Sequence, residues 1–310
     1  MALIALAIFS FMTSLDSSIV NIAMPIIAKE QNQTVNNVEW IVIIYLLVIT
    51  SLLMFFGKLG DLVGKIKIFR IGTVIFLIGS ITAGLNFGFG FLLFSRSIQA
   101  LGAAMTMSNN FGITTALFPE KQRGRSLSIL ATAFALGSIA GPSFGGLILS
   151  IASWRYIFWI NVPIGLIAIW LGQVSLPKSH RPKTKAKLDY LGTVLFAAFV
   201  STMFFGFSRG QSIGYGQVEV LLELLVAVIL LASFIIFEQK SKQPMLNFKI
   251  FKNVEFSMGV LSAILVFIVG YFYNIIIPYY LVNARNFDPG FAGLLMATIP
   301  LTIAFFGPLG

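Results

Sequence analysis

The chain of 310 residues is 57% hydrophobic and 10% charged, against about 25% charged in a soluble domain, so its natural solvent is lipid. It has no cysteine and one histidine, His180, which removes disulfide frameworks and thiolate metal sites and leaves His-based catalysis little to rest on. The formal net charge of +10 comes from bases in short stretches between apolar runs, a pattern that suits anionic lipid better than nucleic acid.

Runs of about 20 apolar residues cross a bilayer as helix. Ten are read here, over residues 2–27, 38–57, 70–86, 91–117, 126–151, 156–176, 190–208, 218–237, 256–282 and 290–310. They are too long and too uniformly apolar for barrel strands, and helices alone satisfy their own backbone in lipid. The first is apolar from Ala2 onward with no basic lead, so it is expected to be a spanning helix and not a signal peptide.

The bases set the orientation. With the N-terminus inside, inside loops hold sixteen: Lys58, Lys65, Lys67, Arg70, Lys121, Arg123, Arg125, Lys178, Arg181, Lys183, Lys185, Lys187, Lys240, Lys242, Lys249 and Lys252. Outside loops hold four: Lys29, Arg155, Arg209 and Arg285. The expected division is a six-helix bundle at residues 1–176 and a basic cytoplasmic linker at 177–189. Two inserted helices at 190–237, a cytoplasmic loop at 238–255 and the first two helices of a second, incomplete bundle at 256–310 follow.

Two echoes support a repeat. Phe55-Phe56-Gly57-Lys58-Leu59-Gly60 is echoed by Phe305-Phe306-Gly307-Pro308-Leu309-Gly310, and Asn21-Ile22-Ala23-Met24-Pro25 by Asn274-Ile275-Ile276-Ile277-Pro278. They map helices 1 and 2 onto 9 and 10, a shift of eight where plain duplication of six helices needs six. The seventh and eighth helices then form an insertion, and a complete second half would make fourteen helices, about ten of them present here.

Four polar features interrupt the oily pattern. Asp16, in LDSSIVNIAMP, is the one acid deep in a span. Such a group is costly in lipid and normally faces a polar cavity, and desolvation disfavours its charged form, which suits proton binding and release. Arg96, in LLFSRSIQALGAA, is expected about one turn into the membrane from the outer side, with Asp16 as its nearest candidate partner or else snorkelling to the interface. Gln99, three residues on, shares its face. The stretch from Gly57 to Gly72 reads as a short charged loop with Gly57, Gly60, Asp61, Gly64, Lys65, Lys67 and Arg70. In GSIAGPSFGG, Gly137, Gly141 and Gly145 form overlapping small-x-x-x-small patterns, with Pro142 to bend the helix and Gly146 beside them. Glu219 and Glu223 read as an interfacial pair, and Trp40, Trp154, Trp159 and Trp170 as membrane anchors. No nucleophile–base pair, phosphate-binding loop or dinucleotide fingerprint is found, which argues against an enzyme or an ATP-driven pump.

LDSSIVNIAMP, GKLGDLVGKIK, RSIQALGAA and GSIAGPSFGG, in this order, resemble the signature motifs of the major facilitator superfamily. The glycine–proline motif is similar to that of its drug:proton antiporters, and the first motif with the inserted pair resembles the fourteen-helix QacA/EmrB type, here C-terminally truncated. The resemblance implies an all-α polytopic membrane protein of the major facilitator fold. It implies proton coupling and a substrate cavity at Asp16, Arg96, Asn21 and Gln99, a conformational switch in the Gly57–Arg70 segment, and no cofactor beyond the proton gradient. Leu62 and Ile66 stand where the family usually has bases, and Ala100 where it has glycine. The expected function is proton-coupled efflux of amphipathic or cationic compounds by a bacterial inner (plasma) membrane protein, acting as a monomer with protons and lipids as its other partners and with no nucleic acid. The alternatives are a same-fold transporter of a specific metabolite, such as an amino acid, peptide or siderophore, and a non-transporting membrane sensor.

Overall fold

The computed structural model describes residues 1–177, 188–241 and 243–287, with isolated positions at 295, 298, 302 and 306. The basic run at 178–187, the tenth span and the Phe305–Gly310 echo lie outside the described residues, isolated positions aside. The described chain is helical: α1 (Ala2–Glu30), α2 (Val35–Val63), α3 (Lys65–Ala83), α4 (Phe89–Leu117), α5 (Glu120–Ile151), α6 (Tyr156–Trp159), α7 (Asn161–Ser175), α8 (Tyr190–Ile213), α9 (Val218–Lys240) and α10 (Val254–Tyr279). α6 and α7 together make the sixth span, joined through Ile160 alone. Among the described residues, seven helices are long and apolar enough to cross a membrane.

α4 is not one of the seven, although it has 29 residues. The reason is its buried polar face, which carries Ser95, Arg96, Gln99, Thr106, Asn109, Asn110 and Thr114. A helix surrounded by other helices can hold such residues, because its neighbours supply partners that lipid cannot.

The charged Gly57–Gly72 segment is not a loop. α2 runs on to Val63 and α3 begins at Lys65, so Gly64 is the whole link, with φ of 113°. That left-handed backbone favours glycine. The charged residues lie instead on helix ends that project past the apolar stretch, and Lys65 pairs with Asp61 across the break.

Two glycine seams bring helices together. On α5, Gly137, Gly141 and Gly145 are buried against α1, while Pro142 and Gly146 face away, exposed. A Cβ on Gly141 would lie 2.8 Å from the Ile19 backbone nitrogen and would strike the Ser18 side chain. α5 is one continuous helix through Pro142. On the other side of the bundle, Gly72 and Gly79 of α3 meet Gly102 and Gln99 of α4, where a Cβ on Gly79 would lie 2.5 Å from the Gln99 Cα. Small residues substitute here for a hydrophobic driving force that is absent between helices in lipid.

α8 and α9 form a hairpin that rests on α2, with Trp40 against Phe205 (ring centroids 5.1 Å apart) and Phe55 against Tyr190 (6.3 Å). At one end of the hairpin, Arg209 pairs with both Glu223 (2.7 Å) and Glu219. At the other, Asp189 caps α8 by accepting from the Gly192 amide (2.8 Å), and buried Glu238 accepts from the Leu246 amide (3.1 Å). Lys58 Nζ donates to the Pro244 carbonyl (3.2 Å), tying the end of α2 to the segment after α9. Of the tryptophans, Trp170 is exposed as an anchor would be, whereas Trp154 is fully buried and donates from Nε1 to Glu30 (2.7 Å). Trp154 is therefore a brace between the ends of α1 and α6, not an anchor.

The buried apolar residues fall into two clusters. One holds Leu6, Phe9 and Met12 of α1 with Tyr45, Phe56, Phe69 and Phe76. The other holds Ile19, Val20 and Ala23 of α1 with Val38, Ile41, Trp154, Ile157 and Phe158. On four helices the changeover falls at a polar position: Asp16 on α1, Ser80 on α3, Arg96 and Gln99 on α4, Asn161 at the start of α7. A single polar layer divides the core.

Candidate functional site

That layer is a hydrogen-bond network around Asp16, midway along α1. Asp16, Arg96, Gln99, Ser80 and Asn161 are all fully buried. Arg96 Nη1 donates to Asp16 Oδ2 (2.6 Å) and to Gln99 Oε1 (2.6 Å), and Arg96 Nε donates to the Ile41 carbonyl (3.2 Å). Gln99 Nε2 donates to Asp16 Oδ1 (2.7 Å) and to Ser80 Oγ (2.7 Å). Asn161 Nδ2 also donates to Asp16 Oδ1 (2.7 Å). The Arg96 guanidinium stacks over the Tyr45 ring, 4.1 Å from its centroid, with Phe158 at 5.6 Å. A buried ion pair is best tolerated when its remaining polar atoms are also matched; five helices contribute partners here, and Arg96 Nη2 is left buried without a hydrogen-bond partner.

Arg96 therefore does not snorkel. It lies two turns into α4, and its side chain is held on Asp16. The sequence had Asp16, Arg96 and Gln99 together, and the structure joins them. It does not join Asn21, which is exposed on α1. Five residues separate Asn21 from Asp16, about 500° of helix, so the two side chains point roughly 140° apart. Asp16's neighbours Ser17 and Ser18 turn to backbone carbonyls instead of to the carboxylate: Ser17 to Thr13 O, and Ser18 to Ser14 O, Leu15 O and, across the seam, Gly137 O (3.3 Å).

Ser80, Tyr45 and Asn161 were not foreseen. Asn161 carried one usable signal. It is an uncharged polar residue at the start of an apolar helix, about 7 Å of rise from the beginning of the sixth span, close to the depth of Arg96 in the fourth.

The Gly57–Arg70 segment is organised around α4 as well. Asn109 Nδ2 donates to Phe56 O (3.1 Å) and Met105 O (2.8 Å), and a Cβ on Gly60 would overlap the Asn109 side chain. Gly57 is less tightly placed, with its nearest contact Ser108 Cβ at 3.9 Å. Asp61 and Lys67 are exposed. Arg70 Nη2 donates to Leu176 O (3.0 Å), a carbonyl past the end of α7, and adds a second donor to Gly172 O (3.1 Å), which already accepts from the Leu176 amide. Among the described residues no cluster of three metal-ligating side chains exists.

A family model described as Major Facilitator Superfamily matches residues 6–310. The chain is 33% identical over 307 residues to the riboflavin transporter RibZ of Clostridioides difficile, covering 99% of this chain and 66% of that protein. It is 29% identical over 310 residues to the multidrug resistance protein Stp of Mycobacterium tuberculosis (100% and 58% covered). It is 30% identical over 303 residues to the tetracenomycin C resistance and export protein of Streptomyces glaucescens (97% and 55% covered). Among solved structures, a bacterial homolog of the human lysosomal transporter Spinster, inward-facing and unoccupied, matches with a TM-score of 0.50 and 17% identity, over 76% of this chain and 60% of that one. The expected all-α fold is met by this likeness. The chain spans roughly half to two thirds of the length of these curated relatives.

Proposed function

Since the chain belongs to the major facilitator superfamily, a family of membrane transporters, we propose that the transporter it forms is a proton-coupled antiporter that exports amphipathic or cationic compounds by alternating access. The observation that carries this is the Asp16–Arg96 pair at 2.6 Å, fully buried between two apolar clusters. A carboxylate held so deep has no evident structural need that an apolar side chain would not meet better, whereas uptake and release of a proton there would weaken and restore the layer that ties the helices together. Each proton moved inward gains about 2.3 kcal/mol per 100 mV, which is the energy source. The multidrug and antibiotic-resistance relatives support a drug substrate.

The finer assignments belong to the same proposal. Helices beyond residue 310 would complete a fourteen-helix antiporter, with α8 and α9 as the inserted pair. The N-terminus is cytoplasmic and the membrane is the bacterial inner membrane, because sixteen bases fall on one set of loops and four on the other. The Gly57–Arg70 segment acts as the conformational switch, and Gly137, Gly141 and Gly145 form the seam that makes α5 move together with α1. Substrates, protons and lipids are the partners, and the transporter works as a monomer.

The test is transport by the full-length protein in proteoliposomes under an imposed pH gradient, with a fluorescent lipophilic cation and riboflavin as separate substrates. Gradient-driven export of the cation that Asp16→Asn uncouples is the expected result. Unchanged gradient-driven export by Asp16→Asn would sink the coupling role. A second reading, transport of one specific metabolite, rests on the identity to a riboflavin transporter; movement of riboflavin alone would favour it. A protein that moves neither while still responding to membrane conditions would fit a sensor.

A further inference from the structure

Asp16 Oδ1 receives two amide donors, from Gln99 and from Asn161. The two amides differ in what their carbonyl oxygens do. Gln99 Oε1 accepts from Arg96 Nη1 (2.6 Å), and its nitrogen also reaches Ser80. Turning that amide over would break three bonds at once. Asn161 Oδ1 is buried and accepts from no group. Turning Asn161 over costs only the bond it makes to Asp16, and it presents an acceptor in place of a donor.

We propose that Asn161 is a positioning residue for the proton step: it holds ionised Asp16 through its N–H, and when Asp16 takes up a proton its amide rotates so that Oδ1 accepts the new O–H. The proposal rests on the proton-coupling role of Asp16 given above. The proton comes from water and binds Asp16 Oδ1. One N–H···O bond is exchanged for one O–H···O bond, and no other group changes protonation. The Arg96 contact is on the other carboxylate oxygen, Oδ2, and does not have to move first.

Among the side chains hydrogen-bonded to Asp16 (Arg96, Gln99 and Asn161), Asn161 is the one with an unengaged acceptor oxygen. The charged or titratable side chains facing Asp16 among the described residues are Arg96 from α4 and Tyr45 from α2. α3 contributes the Ser80 hydroxyl, which is already an acceptor for Gln99. α5 faces α1 with glycines, and α6 contributes the Phe158 ring. Asn161 is also the first residue of α7, immediately after the short α6 that Trp154 fastens to Glu30 of α1. A change in its bond to Asp16 is therefore felt where the sixth span is jointed.

Asn161→Leu keeps the volume and removes both donor and acceptor. Both forms of Asp16 lose a bond, but the charge-assisted bond to the ionised form is about twice as strong as the neutral one to the protonated form, so the protonated form is reached more readily. In the full-length protein the pH profile of gradient-driven transport moves to higher pH by about half to one unit, the difference between a charge-assisted and a neutral hydrogen bond. The apparent KM for the lipophilic cation stays within about twofold. The infrared carbonyl band of the protonated acid, identified by its disappearance in Asp16→Asn, titrates at correspondingly higher pH, a readout independent of activity. Asn161→Ser, whose hydroxyl can donate or accept, brings both midpoints part of the way back; if the leucine variant does not accumulate, the serine variant alone is expected to shift less but in the same direction. Midpoints identical to the unmodified protein in both variants overturn the proposal. Failure of the underlying coupling role is seen separately, as gradient-driven transport that survives Asp16→Asn.

Discussion

Replacing Asp16 by asparagine leaves the Arg96 guanidinium fully buried without the carboxylate it is paired with. Arg96 keeps Gln99 Oε1 and the Ile41 carbonyl as acceptors, and the Tyr45 face beneath it, but none of these carries a negative charge. Breaking a buried pair from one side costs about 3–5 kcal/mol. Arg96→Gln, which strands the carboxylate between Gln99 and Asn161, should cost a similar amount. The double variant Asp16→Asn/Arg96→Gln holds neutral amides that can bond to one another, so its loss is expected to be about the size of one single loss, not the sum. The coupling energy is then roughly 3 kcal/mol or more. Thermal unfolding of the full-length protein in detergent, followed by tryptophan fluorescence, reads this directly: each single variant falls by roughly 6–10 °C, at about 2 °C per kcal/mol for a large chain, and the double variant falls no further than the worse single one. Additive losses would mean that the ion pair is not what holds the polar layer, and the mechanism built on its breaking would go with it.

Two other outcomes follow from the packing. Gly141→Val should destabilise the protein by about 1–3 kcal/mol, because the new side chain meets the Ile19 backbone and a Ser18 fixed by three carbonyls; Gly146→Val, with open space at its Cβ, should be close to neutral in the same unfolding assay. Arg70→Ala should lower stability by about 1–2 kcal/mol by orphaning the Leu176 carbonyl and removing one of the two donors to Gly172 O, while Lys67→Ala, at an exposed position, changes it by less than about 0.5 kcal/mol.

Much of this arrangement was legible before any coordinates, for one physical reason: charge in lipid is expensive, so each charged residue inside a span is conspicuous. Asp16 and Arg96 stood out that way, and Gln99 followed from helical spacing. Ser80, Tyr45 and Asn161 did not stand out, because neutral polar side chains cost little enough to occur for many reasons. The period of the helix also misled where a motif was taken as a unit. Asn21 shares LDSSIVNIAMP with Asp16, yet lies on another face. The Gly57–Gly72 stretch looked like a loop because charge usually ends a span; Gly64 supplies the turn alone, and the charges ride on helices that continue into water. In α5 the glycines were legible as a set, but only their neighbours show that Gly137, Gly141 and Gly145 meet α1 while Pro142 and Gly146 do not.

The two glycine seams give the polar layer its mechanical meaning. α1 and α5 approach so closely at Gly137 and Gly141 that neither helix can shift alone, and α3 and α4 are locked in the same way at Gly79 and Gly102. Each pair therefore behaves as one body. Asp16 belongs to the first body, and Arg96, Gln99 and Ser80 belong to the second. Among the described residues their bonds are one of two polar connections between the close-packed pairs, the other being Asn110 Nδ2 of α4 donating to Ser10 Oγ (2.8 Å) and Leu6 O (3.3 Å) of α1, and Asn161 adds the sixth span to the Asp16 carboxylate. Apolar surfaces on either side of the layer can slide at little cost, since they trade one van der Waals contact for another. The hydrogen bonds cannot slide without breaking. On the proposed coupling, a proton on Asp16 would act at the charged one of the two levels where directional bonds resist relative movement of the pairs. Asn109, on the same α4, is packed on Gly60 and bonded to Phe56 O, so in the proposed cycle a shift of the α3–α4 body would reach the end of α2 through it.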